Sequence, residues 1–98
     1  MTEVIASREI SIIDGGSIFI EIEKPIEIDG IWKCYYNFAF SAERKKTYSM
    51  NGVDSMQSIL HAIKGIQLYL ESTKEFKMGR LRWLDDHDMG FNFNFLNE

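Results

Sequence analysis

The chain has 98 residues, 45% hydrophobic and 27% charged, with a formal net charge of −4. That length suits one domain, residues 1–98, with a core of its own and no room for a second, and the acidic balance argues against non-specific nucleic-acid binding, which rests on neutralising phosphates. Cys34 is the only cysteine and there are two histidines, so an internal disulfide and a four-ligand zinc site are both excluded.

Residues 5–14 read as a first strand, with Arg8, Ile10 and Ile12 on one face and Glu9, Ser11 and Ile13 on the other. Asp14-Gly15-Gly16-Ser17 follows as a hairpin turn. Residues 18–24 alternate: Ile18, Ile20 and Ile22 point one way, Phe19, Glu21 and Glu23 the other. Pro25 ends this strand because it cannot donate to a ladder. Asp29-Gly30 is a second turn, and residues 31–40 form the third strand, with Trp32, Cys34, Tyr36, Phe38 and Phe40 on an aromatic core face opposite Lys33, Tyr35, Asn37 and Ala39. Residues 41–46 make a charged hairpin tip, and residues 47–50 a short fourth strand.

Residues 51–71 carry the one clear helical period. Asp54 or Ser55 is placed to cap the helix, and Met56, Ile59, Leu60, Ile63, Ile66 and Leu70 fall within one stripe that faces the sheet. Gln67 lies in the same stripe and needs a hydrogen-bond partner. Further on, Leu81 and Trp83 have strand spacing, while Phe91, Phe93 and Phe95 alternate with Asn92 and Asn94 as a last strand or an extended tail. The expected fold is α+β: an antiparallel sheet of four to six strands with one long helix on one face, in the order β-β-β-β-α-β(-β). Its core is expected from Ile10, Ile12, Ile18, Ile20, Ile22, Trp32, Tyr36, Phe38, Ile59, Ile63, Ile66, Leu70 and Trp83.

Candidate chemistry is sparse. Asp85, Asp86, His87 and Asp88 gather carboxylates and an imidazole, but their spacing matches no calcium loop, and a solvated turn is the better reading. Cys34 falls on the core face, where a thiol is inert, and His61 lies opposite the apolar stripe. No phosphate loop, zinc-protease helix or nucleophile elbow occurs, so no residue nominates itself for catalysis and no cofactor or metal is implied. Lys74, Lys77, Arg80 and Arg82 form a basic stretch near aromatic residues, set against the net acidity. The outer flank of the helix carries Ser58, Ala62, Gly65 and Tyr69, with Leu68 beside them. Gly65 costs about 1 kcal/mol relative to Ala in a helix interior, so this flank is read as a surface for self-association or a protein partner.

Trp32-x-Cys34-x-Tyr36, the helix entry Gly52-Val53-Asp54-Ser55-Met56-Gln57, Trp83 and Gly90-Phe91 together resemble a group of small uncharacterised bacterial proteins classed as a domain of unknown function. The resemblance runs from about residue 5 to residue 91; Ser58 replaces the usual Ala, and Asn92 a frequent Pro. It implies a small α+β bacterial domain and transfers no site residues. The function expected is a cytoplasmic, non-enzymatic protein-binding module, homodimeric or of the immunity type that neutralises a toxin. No apolar run approaches the ~20 residues needed to span a bilayer, and no signal peptide is visible. The alternative is a small-molecule or metal binder, or an enzyme, using the aromatic sheet face and the Asp85–Asp88 loop.

Overall fold

A computed structural model describes residues 3–40, 45–86 and 88–91. Most of the charged tip at 41–46, His87 and the Phe93–Phe95 alternation lie outside them. Among the described residues, six strands form one antiparallel sheet: β1 (Val4–Ile12), β2 (Ser17–Glu23), β3 (Ile26–Ile28), β4 (Ile31–Phe40), β5 (Lys46–Gly52) and β6 (Leu81–Arg82). One long helix, α1 (Ser55–Ser72), follows β5, and a single turn, α2 (Lys74–Lys77), leads to β6. The α+β class, the antiparallel sheet and the one long helix are those expected from the sequence.

The strands follow from their turns and alternation. The β1–β2 hairpin pairs Ile10 with Ile18 and Arg8 with Ile20, and its turn places Asp14 at φ 65°. Between β3 and β4, Asp29 and Gly30 both take positive φ, 53° and 81°. That is the twist-matched two-residue turn that glycine makes accessible. Sequence reading missed β3 because Pro25 looked like a stop. Instead, β2 and β3 run in succession along the same edge of β4, Ile22 opposite Tyr36 and Ile26 opposite Lys33. Three residues, Glu23 to Pro25, therefore face two, Cys34 and Tyr35. A bulge absorbs the proline's missing donor.

Across the sheet the order is β6, β1, the β2–β3 strand, β4, β5. The chain thus leaves one edge at Gly52, crosses the face as α1, and returns at the opposite edge, where Leu81 pairs with Ile12. The domain is 19 Å through its thinnest direction, one sheet and one helix deep. Ile10, Ile18, Ile20, Ile22, Cys34, Tyr36 and Phe38 are buried under Ala62, Ile66 and Leu70, with Leu81, Met89 and Phe91 closing the β1 side. Of the expected core, Ile12, Ile59, Ile63 and Trp83 are half-buried around this cluster. On the opposite face Asn37 is also buried. Its amide donates to Glu23 Oε2 and its carbonyl accepts from Thr47 Oγ1, each at 2.8 Å, tying β2, β4 and β5 together. A buried amide satisfied in this way fixes strand register.

Candidate interaction site around the helix

The helix entry is built by three residues of the Gly52–Gln57 stretch. Asp54 is the N-cap, accepting the Gln57 N–H at 2.7 Å, while Gln57 Oε1 accepts the Val53 N–H at 2.8 Å. The first bond satisfies a donor that the first turn leaves orphaned, and the second ties the residue ahead of the cap back to the helix. Gly52 is required for space: a Cβ there would strike the backbone of Gln57 and Ser58. His61 hydrogen-bonds through Nδ1 to the Asn51 carbonyl at 2.8 Å, further fastening the helix to the end of β5.

The rotation of α1 about its axis differs from the expected one. Ser58, Ala62 and Gly65 are buried, and Tyr69 is half-buried. These residues form the inner face, not an outer flank; of the five residues expected at a partner surface only Leu68 is exposed. The physical reason is volume. The sheet presents Tyr36, Phe38 and Tyr48, and Tyr69 stacks on Phe38 with ring centroids 4.1 Å apart. Small residues let the helix axis come close to that bulky floor: a Cβ on Gly65 would collide with the Tyr36 hydroxyl. Close packing, not a second helix, explains the glycine.

Two members of the expected stripe are displaced in consequence. Met56 is 70% exposed and Leu60 51%, and Val53, just ahead of the helix, is 80% exposed. Four residues apart, Met56 and Leu60 share one side of the helix. Gln67 is not buried as expected but half-buried, its amide donating to Glu71 at 3.1 Å.

The remaining candidates resolve into local structure. Leu84 and Asp85 take φ of 50° and 64° between the bridged pair Trp83 and Asp86, so the acidic segment opens with a tight turn. Asp86 then accepts the Asp88 N–H and Asp88 the Gly90 N–H, as short acidic side chains do in turns. Arg80 donates to the Ile13 carbonyl and Arg82 to those of Gly79 and Leu81. On the aromatic face of β4, Cys34, Tyr36 and Phe38 are buried, while Phe40 is half-buried against the core and Trp32, expected in the core, is half-buried outside it. Burial, then the neighbouring Glu23 carboxylate, pushes the Cys34 thiol up to about 11, so it stays protonated near neutrality. Among the described residues no group of three or more His, Cys, Asp or Glu is arranged to hold a metal, and no helix is long and apolar enough to cross a membrane.

One arrangement was not anticipated. Arg8 lies on the helix-facing side of β1, its guanidinium 3.8 Å from the Trp83 ring centroid and 4.8 Å from that of Phe91, and it donates to the Met89 carbonyl at 2.9 Å. The signal was present in the sequence as the lone charge in the Arg8, Ile10, Ile12 row.

The architecture defines a small α+β domain in which one helix covers part of one sheet face. The chain belongs to the family described as domain of unknown function DUF6968, whose model matches residues 6–93. Comparison with curated proteins and with solved structures gives no match.

Proposed function

We propose that this protein is a non-enzymatic protein-binding module of the bacterial cytoplasm, and that its docking face is the exposed shoulder of α1. The supporting observation is that Met56 and Leu60, on one side of α1, and Val53, just ahead of the helix, are all more than half exposed. Large apolar side chains held out by a rigid scaffold are the usual material of a protein-binding patch, and methionine adapts its shape to what it meets. The partner is a protein, and a second copy of this chain is the first to be tested.

The test compares the wild type with the Met56→Ser/Leu60→Ser double variant. Expected is either a dimer mass by light scattering or a co-purifying protein, lost in the double variant while the thermal midpoint is unchanged. A monomer with no captured protein, or capture equally efficient with the double variant, would overturn this reading.

A further inference from the structure

Beside α1 a groove of about 280 Å³ opens over β1, bordered by Ala6, Ser7, Arg8 and the half-buried Ile63, with Ile20, Ile22, Ile66 and Phe91 buried at its base. All the large lining side chains are apolar except one, and that one is a cation. Arg8 is held in place before any ligand arrives. Two aromatic rings lie against its guanidinium, the Met89 carbonyl takes one donor, and Gly90 gives it room, since a Cβ at Gly90 would press on both Arg8 and Trp83.

A guanidinium has five N–H donors, and among the described residues only one of Arg8's is engaged by the protein, with no carboxylate against it. Partial burial lowers its pKa. The adjoining cavity, which shares Phe91, is lined by Glu71, Asp86 and Asp88 and repels an anion. The anion-accepting end of this surface is therefore the Arg8 end.

We propose that the groove binds a small apolar monocarboxylate, its carboxylate on Arg8 and its hydrocarbon along Ile63 and Ala6, over the margin of Ile22. A planar guanidinium matches a carboxylate through two parallel hydrogen bonds, and an apolar cleft with a single oriented polar group is the usual form of a small-ligand site. This site is separate from the Met56–Leu60 shoulder and does not rest on it.

The test is a titration of the full chain, followed by amide nitrogen–proton NMR, with octanoate and with its neutral isostere octanamide. Expected are saturable shifts confined to residues 6–8, Ile20, Ile22, Ile63, Ile66 and Gly90. Octanamide should bind at least about tenfold more weakly, and Arg8→Gln should weaken octanoate by a similar factor. Ile63→Asp, which leaves Arg8 untouched but sets a carboxylate in the wall, should abolish binding; it carries the test if Arg8→Gln loosens the 88–91 segment. Absent or scattered shifts, equal affinity for octanamide, or octanoate binding unaltered in both variants would overturn the proposal. So would binding that appears only once Phe93 and Phe95 are changed to Ser, because the groove would then belong to this chain's own C-terminal residues.

Discussion

The helix-facing side of the sheet is made of two unlike halves. Over β4 and β5 the helix lies directly on the strands: Phe38, Tyr36 and Tyr69 interlock, and Ala62 and Gly65 leave no space between the layers. Over β1 and β2 the cover is different. There Met89 and Phe91 substitute for a helix, Arg8 and Trp83 join the seam, and a groove remains. The two halves have different floors, isoleucine on one side and aromatics on the other. Each floor has a matching cover, small helix residues over the aromatics and Met89 with Phe91 over the isoleucines. Small residues close a layer, and large ones at its margin prop it open.

The contrast can be broken most severely from the closed half. Phe38→Ala empties a fully buried site and should cost about 3–5 kcal/mol in denaturant unfolding, against about 1 kcal/mol for Ile63→Ala at the half-buried wall of the groove. Equal losses would mean that the halves are packed alike. Next in size is Gly65→Ala. Helix propensity alone favours alanine by about 1 kcal/mol, yet overpacking against Tyr36 costs about 1–3 kcal/mol, so a net loss of stability is expected. Tyr36→Phe in the same chain removes the colliding hydroxyl and should return part of it, a coupling readable in a double-mutant cycle. Asp54→Ala removes the helix cap that orients both halves and should lower stability by about 1 kcal/mol.

The gentlest lever is pH, and it acts on the closed half. Cys34 is pushed up to about 11 from an ordinary value of 9.0 by burial and then by Glu23, and Tyr36 is raised chiefly by burial. Above pH 9 the unfolded chain releases the thiol proton while the folded chain keeps it. Stability should therefore be fully retained below pH 9 and decline towards pH 11. In Cys34→Ala that decline should be shallower, leaving the Tyr36 contribution.

The fold was legible because its strongest signals are local. Gly and Asp mark the turns, the isoleucines of β2 alternate without interruption, and Asp54 or Ser55 stands ready to cap the helix. The rotation of that helix was not. A helical wheel ranks faces by hydrophobic size, whereas burial here depends on the partner surface, and a floor of tyrosine and phenylalanine selects Ser58, Ala62 and Gly65 over Met56 and Leu60. The sequence displayed the unusual glycine but not the tyrosine beneath it. Arg8 was hidden for a related reason: its ring partners, Trp83 and Phe91, lie more than seventy positions away and meet it only through the return of the chain.

That return has a kinetic consequence. The hairpins from β1 to β5 join neighbours in the chain, but the pairing of Ser11 with Arg82 closes a loop of roughly seventy residues for two rungs of ladder. Even with the Ile13 N–H on the Arg80 carbonyl and the Arg80 guanidinium on the Ile13 carbonyl, this short edge is expected to open before the central strands. Amide protons of Leu81 and Arg82 should therefore exchange with solvent ahead of those in β2 and β4, and each such opening loosens Trp83 and the residues behind it. The edge where the polypeptide comes home is therefore expected to set the rate at which the Arg8 groove opens.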